Sequence, residues 1–373
     1  MDIMTSRYED WQNRLEKHVD FNICESMVAA FTEEELLAID PEGAAALRQT
    51  GAHELLNYGW IEGSAEFKQG VAGLYQSEVA PDRILQTNGG TGANFNAMYA
   101  LIEPGDHVIV ESPAYEPLEV LARQFGAEVE LWRLREEHAW QPDIGELRQM
   151  VRPDTKLIVL VNASNPLGVV LETPLLEEIA DIARSVGAYV LCDEAFRPFD
   201  ESVNYTSMID VYEKAIVTCT LSKAYAVPGI RIGWVVADDE IAGRVRRLRD
   251  YTMVSCGVPN DALGVYVLRN REGILKRNCE IVMRNLEIAD AWIAGQPRVS
   301  WQKPRGVTTG FMRLDIPEDD VSFCKRLAAE RKTLLIPGGC FDLPCGARLG
   351  YCAHEQILRR GLDELAAALA EFD

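Results

Sequence analysis

Lys223 lies in the run Thr220-Leu221-Ser222-Lys223-Ala224-Tyr225-Ala226-Val227-Pro228-Gly229-Ile230-Arg231-Ile232-Gly233-Trp234. A lysine amine condenses with an aldehyde, and hydroxyls with a guanidinium hold a phosphate dianion through charge-assisted hydrogen bonds. Here the lysine follows two hydroxyl residues, and an arginine stands eight positions later. Pyridoxal 5'-phosphate carries both an aldehyde and a phosphate, so the run reads as a site for that cofactor. A lysine taken alone is most often a solvated surface cation. Its neighbours change the balance.

Asp193 ends the apolar run Ala188-Tyr189-Val190-Leu191-Cys192. A carboxylate at the end of a buried strand is costly unless it meets a cation, and a protonated pyridine nitrogen is one. A helix-capping or loop aspartate fits the same pattern. Asn88-Gly89-Gly90-Thr91-Gly92-Ala93-Asn94 reads as a strand-to-helix turn whose glycines let backbone approach a phosphate at a helix N-terminus. In Asn162-Ala163-Ser164-Asn165-Pro166-Leu167-Gly168, Asn165 offers an amide donor to a ring oxygen, or simply a turn before proline. Tyr115, in Ser112-Pro113-Ala114-Tyr115, is placed to stack on a pyridine ring and fits an ordinary core position equally well. Arg348, within the strand-like Ala347-Arg348-Leu349-Gly350-Tyr351, has the chemistry to grip a carboxylate through two parallel hydrogen bonds, or to sit on an exposed edge.

The elements that must position these groups alternate along the chain. Strand patterns fall at 83–87, 107–111, 128–132, 156–161, 188–192, 215–219 and 230–236, and helical ones at 91–101, 117–125, 174–186 and after Asp238. Such alternation predicts an α/β fold with a mostly parallel seven-stranded sheet between helices, which gathers ligands at its carboxyl strand ends. Asn88, Asn165, Asp193 and Lys223 all follow such ends. Beyond about residue 265 a long helix over 274–294, strands at 311–314 and 334–337, and helices over 319–331 and 354–372 predict a smaller α+β unit. The expected division is a large domain over 45–265 and a small one made of 1–44 with 266–373. The first 45 or so residues, irregular and then helical, fit either a place in the small unit or a wrap around a partner subunit.

Composition sets the class. The chain has 373 residues, 47% hydrophobic and 25% charged, with a net charge of −21, which argues against nucleic acid or an anionic membrane as partner. No apolar stretch is long enough to span a bilayer, and the first ten residues lack the apolar core of a signal peptide, so a cytoplasmic enzyme is expected. The nine cysteines read as thiols in a reducing compartment. Cys340, Cys345, Cys352 and His354 match no metal-ligand spacing, and no metal is expected there.

With these residues in view, the chain resembles the class I/II aminotransferases of the fold type I pyridoxal-phosphate enzymes, from about Phe21 to the terminal helix. The most specific motif is S-K-x5-G-x-R, here Ser222-Lys223 through Gly229-Ile230-Arg231. The resemblance implies that Lys223 binds the cofactor aldehyde and shuttles protons, that Asp193 pairs with the ring nitrogen, and that Asn165 contacts the ring oxygen. It implies a phosphate cup of Gly90, Thr91, Thr220, Ser222 and Arg231, ring stacking by Tyr115, and a carboxylate grip by Arg348. Residues 22–26 would cross the pocket, making Cys24 and Glu25 specificity positions, with Asn165 also on the substrate side. Tyr58 would reach the phosphate of a neighbouring subunit, which implies a homodimer with shared sites, amino acid and 2-oxo acid substrates, and ping-pong turnover. One departure stands out. The family's D-E-x-Y reads Asp193-Glu194-Ala195-Phe196, so the hydroxyl that would meet the ring oxygen is missing. A subgroup similar to capreomycidine synthase, which cyclises a hydroxylated arginine, shares this phenylalanine. Enzymes that oxidise arginine share a run like Phe196-Arg197-Pro198-Phe199-Asp200. Elimination, cyclisation or oxidation on an arginine-type substrate is therefore the alternative to transfer.

Overall fold

The computed structural model describes residues 3–51, 53 and 55–372. A two-residue strand, β1 (Phe21–Asn22), precedes the seven strands β2 (Ile84–Asn88), β3 (His107–Ser112), β4 (Glu128–Arg133), β5 (Thr155–Val161), β6 (Tyr189–Asp193), β7 (Ala215–Thr220) and β8 (Ile232–Val236). These seven form one sheet in the order β2-β8-β7-β6-β5-β3-β4. Every ladder among β7, β6, β5, β3 and β4 is parallel, and β8 runs antiparallel to both of its neighbours. All seven expected strands are present, in the mostly parallel sheet that the alternation predicts.

Side-chain alternation explains why both faces are covered. Along β5, Leu157, Val159 and Val161 join one core, with Ala93, Ala97 and Met98 of the helix Gly89–Leu101 and Ile241 and Val245 of the helix Asp239–Thr252. Ile158 and Leu160 point the other way, into a core with Leu176, Ile179 and Ala183 of the helix Thr173–Val186. Five consecutive apolar residues, Leu157 to Val161, need helices on both sides, and that is the three-layer arrangement found.

Beyond this sheet, β9 (Val299–Trp301), β10 (Thr309–Leu314), β11 (Thr333–Leu334), β12 (Ile336–Pro337) and β13 (Gly346–Gly350) follow. Four of them make an antiparallel sheet in the order β12-β13-β10-β9. The three-residue β9 is too short to show a period and was not anticipated. β11 pairs in parallel with β1, so the start of the chain joins the C-terminal unit. The helix Arg7–Leu15, capped by the Ser6 hydroxyl, packs on the same chain: Trp11 Nε1 donates to the Leu335 carbonyl at 2.9 Å. Among the described residues no helix is long and apolar enough to cross a membrane.

Candidate active site

The carboxyl ends of β2, β5, β6 and β7 meet at a cavity of about 190 Å³ lined by Gly90, Thr91, Tyr115, Asn165, Asp193, Thr220, Ser222, Lys223 and Arg231. Two glycines make the closest approach there. Gly89 has φ +73°, and a Cβ on it would collide with the Arg231 guanidinium. A Cβ on Gly233 of β8 would stand 2.6 Å from the Gly89 carbonyl carbon. Only a bare backbone brings the start of helix Gly89–Leu101 this near to Arg231. Arg231 is itself left-handed, with φ +53°, after the single turn Pro228–Ile230. That turn is why β8 begins at Ile232 and not at residue 230.

Lys223 follows β7 by three residues, and its Nζ donates to Ser26 Oγ at 2.9 Å. Burial and the positive charge of Arg348 push its pKa down to about 8, against the opposing pull of Glu9, Glu25 and Asp193. Phe196, the departure from the family pattern, is buried with its ring centroid 5.8 Å from Nζ.

Asp193, at the end of β6, is 4% exposed. Its Oδ2 accepts from Asn94 Nδ2 at 2.7 Å and its Oδ1 from the Ala195 amide at 2.9 Å. Thr218 Oγ1 donates to Asn94 Oδ1 at 2.5 Å and so fixes that amide with its nitrogen toward the carboxylate. Burial raises the Asp193 pKa, and among the described residues no basic side chain forms an ion pair with it. At the other side of the cavity Arg231, among the described residues, donates only to the Pro228 carbonyl, at 3.1 Å. Thr220 and Ser222 hydroxyls lie 2.9 Å apart beside it, and a Cβ on Gly90 would press on the Thr220 side chain at 3.3 Å. The site thus presents an unpaired buried anion at one end. At the other it presents an unpaired guanidinium, two hydroxyls and a helix N-terminus, with a primary amine between. Those groups fit a molecule with a cationic ring nitrogen, a phosphate and an aldehyde.

Arg348 is fully buried on β13, and no carboxylate pairs with it among the described residues. Its Nη1 donates to Asn165 Oδ1 at 2.8 Å, and its Nη2 to the Cys24 carbonyl at 2.5 Å and to Tyr8 Oη at 3.3 Å. Its Nε has no hydrogen-bond partner among the described residues. It stands behind Asn165 and Tyr8 and does not itself line the cavity.

The remaining expectations divide. Cys24 is buried, turns its thiol to Asn22 Oδ1 at 3.1 Å and does not line the cavity, whereas Ser26 of the same segment does. Tyr58 is 70% exposed and lies outside the cavity of its own chain. Sequence reasoning missed Tyr8, Glu9 and Gln12 of the helix Arg7–Leu15, which form one wall, and Asn94, which holds Asp193. Asn94 stands in the quoted glycine-rich turn, so its signal was present. The helix offered only a serine cap and an acidic first turn, which say nothing of where it docks. No cluster of three or more metal-ligating side chains occurs among the described residues.

Against known proteins, the sequence matches the aminotransferase class I and II family over residues 32–368. It is 42% identical to a pyridoxal-phosphate-dependent aminotransferase of Streptococcus suis 89-1591, whose crystal structure superposes with a TM-score of 0.96 over 100% of this chain and 99% of that one. It is 28% identical to capreomycidine synthase of Streptomyces vinaceus, across 97% of this chain and 92% of that one. It is 27% identical to aspartate aminotransferase of Thermotoga maritima, with 81% of each covered.

Proposed function

The chain belongs to the aminotransferase class I and II family and is a pyridoxal-phosphate-dependent transaminase, and we propose that the cavity around Lys223 is where it moves the amino group of an L-amino acid to a 2-oxo acid. The observation that carries this assignment is the triple of unpaired groups around one cavity: the Asp193 carboxylate, the Lys223 amine and the Arg231 guanidinium.

When bound, pyridoxal phosphate supplies an aldehyde that takes up primary amines and an electron-poor ring that accepts the electron pair left when an α-proton departs. Arg231, Ser222, Thr220, Thr91 and the Gly90 amide hold the phosphate. Asp193, steadied by Asn94 and the Ala195 amide, holds the proton on the ring nitrogen. Tyr115 covers the ring, and Asn165 serves both the ring oxygen and Arg348. Arg348 grips the substrate α-carboxylate. Lys223, with a pKa near 8, is partly neutral at physiological pH and therefore able to take the α-proton and return it at the cofactor carbon. Running the same transfers backwards with a 2-oxo acid closes a ping-pong cycle.

The phosphate- and ring-holding residues all fall within 45–265, which supports treating that span as the cofactor-binding domain, with 1–44 and 266–373 closing over it. Exposed Leu55, Leu56, Tyr58 and Trp60 cluster in sequence, which supports a homodimer in which Tyr58 reaches the partner's phosphate. Nine free thiols support a cytoplasmic location.

Phe196 favours a second reading. Phe196 itself brings no hydroxyl to the cavity, and the chain is similar to capreomycidine synthase over 97% of its length. Holding the purified enzyme with amino acids and no oxo acid decides between the two. Conversion of the cofactor absorbance to its amine form is expected for transfer. Turnover with the aldehyde form retained would replace transfer by elimination or cyclisation.

A further inference from the structure

The helix Arg7–Leu15 gives the cavity a wall that no motif announced. Tyr8 and Glu9, adjacent on that helix, face two different groups. Tyr8 Oη accepts from Arg348, and Glu9 Oε1 accepts from Tyr115 Oη at 2.8 Å. Gln12, on the same face one turn later, also lines the cavity, as does Ser26. The Tyr8 and Tyr115 rings meet edge to face at 5.9 Å, so the helix, the proposed stacking residue and the proposed carboxylate grip form one packed unit.

Glu9 differs from the other half-buried carboxylates nearby. Glu62 pairs with Lys68 and Arg246, and Glu116 pairs with Arg7. Among the described residues Glu9 accepts the Tyr115 hydroxyl and forms no ion pair. Glu25, behind Ser26, is also without a basic partner in an ion pair; burial and the charge of Glu16 raise its pKa. Lys223 feels the field of both Glu9 and Glu25.

The charges lining the cavity are Lys223 and Arg231 on one side of the balance and Asp193 and Glu9 on the other. On the aminotransferase reading above, each of the first three has its partner. The phosphate takes Arg231, the ring nitrogen takes Asp193, and Lys223 works as a neutral base. Arg348 takes the α-carboxylate from behind Asn165. Glu9 is then the one anion left over, on the wall made by the N-terminal helix. A half-buried carboxylate that has no ion-pair partner is stabilised by a cation that brings its own hydrogen bonds. Within this chain an acidic side chain would find no further cation, since Lys223 and Arg231 are the basic residues among the described residues that line the cavity.

We propose that Glu9 is a specificity-determining residue and that the side chain it selects on the L-amino acid substrate is a cation, an ammonium or a guanidinium. Gln12 adds a neutral hydrogen-bonding group one turn along. Resting on the aminotransferase reading, this assignment gives that reaction its substrate class.

Calorimetric titration of the cofactor-loaded enzyme tests it, with L-arginine against its neutral isostere L-citrulline, L-lysine against L-norleucine, and L-aspartate. The cationic member of each pair is expected to bind more tightly, and aspartate most weakly. Glu9→Gln keeps an acceptor for Tyr115 and removes only the charge. It is expected to weaken arginine and lysine roughly ten- to hundred-fold, the range of one charge-assisted hydrogen bond, and to leave citrulline and norleucine within about two-fold. Asp10→Asn, which removes a charge paired with Arg14 outside the cavity, is the control and should change none of them. Equal affinity for charged and neutral members of a pair in the native enzyme would overturn the proposal. So would a Glu9→Gln variant that weakens all ligands alike, or an Asp10→Asn variant that matches it. The two readings fail separately. Charge-selective binding with no amino transfer from any donor removes the transaminase assignment and leaves the subsite, whereas efficient transfer with no charge preference does the reverse.

Discussion

The two walls of the cavity are built by different means. The cofactor side stands on strand ends of one sheet: Asp193 closes β6, Thr220 closes β7, and Gly90 lies in the first turn of the helix that follows β2. Ladder hydrogen bonds on both sides of β6 and β7, and on one side of the edge strand β2, set these positions to within the rigidity of the sheet. The substrate side stands on contacts between parts of the chain far apart in sequence. Arg348 meets Tyr8 and Cys24 across more than 300 residues, and Ser26 meets Lys223 across 197. A sheet edge positions a group whether or not a ligand is present, while a helix docked through side chains holds its place only as well as those contacts do. The cofactor side should therefore fail all at once when a reacting group is removed, and the substrate side by degrees.

The largest effect expected is on the first wall. Lys223→Ala should lower transamination by about 10^4-fold or more, the upper range for a single proton-transfer group. Steady-state rates check this, and borohydride should trap no cofactor at position 223. In the native enzyme the base must be neutral, so kcat should rise with pH through an apparent pKa near 8. A flat profile from pH 6 to 9 would separate Lys223 from the proton transfer.

On the second wall, Arg348→Met removes a buried guanidinium and leaves Asn165 Oδ1, Tyr8 Oη and the Cys24 carbonyl without their donor. The KM for amino donors should rise by roughly a hundred-fold, the scale of strong charge-assisted bonds. Cofactor absorbance and loading should persist. Loss of the cofactor in this variant would show that the two walls are not independent.

How far each wall can be read from sequence follows from the same difference. Lys223, Asp193 and Asn165 follow strand ends that alternating apolar runs reveal, so their convergence was legible in the sequence, whereas Arg231 fell inside an expected strand and was legible only by its spacing from Lys223. Arg348 was legible as a charge in an apolar run, but not its seat behind Tyr8. The N-terminal helix was ambiguous because amphipathic periodicity reports that a helix has an apolar face and not what covers it. Glu9 carried no signal at all. Its importance arises because no cation among the described residues forms an ion pair with it, which only the packed chain reveals.

Buried acids behind the cofactor wall give it a pH dependence of its own. Burial raises Glu111 and Glu194 from 4.5 to about 8, so each holds a proton in the folded chain that the unfolded chain releases near 4.5. Their contribution to stability is full below about 4.5 and is lost as pH rises through about 8. Glu111→Gln, neutral at every pH, should flatten the fall in stability between pH 5 and 8 by up to a few kcal/mol, on the order of what a shift of this size links. Denaturant titrations at pH 5 and pH 8 measure it; an unchanged slope would mean that Glu111 is ionised in the folded protein.

The smallest effect belongs to the strap over the substrate wall. Arg7 Nε pairs with Glu116 at 2.8 Å and its Nη1 with Asp342 at 2.8 Å, tying the N-terminal helix to the start of the helix Glu116–Gln124 and to the turn that precedes β13. The Arg7 side chain is about half exposed, so the pairs are worth ~0–1 kcal/mol and are screened by salt. Arg7→Ala should therefore raise the KM of amino donors by no more than about five-fold, with kcat and cofactor loading unchanged. About 0.5 M salt should produce much of the same rise in the native enzyme and little further change in the variant. A fall in kcat of the same size would mean that the helix positions reacting groups as well as the substrate side chain, and the two walls would then act as one.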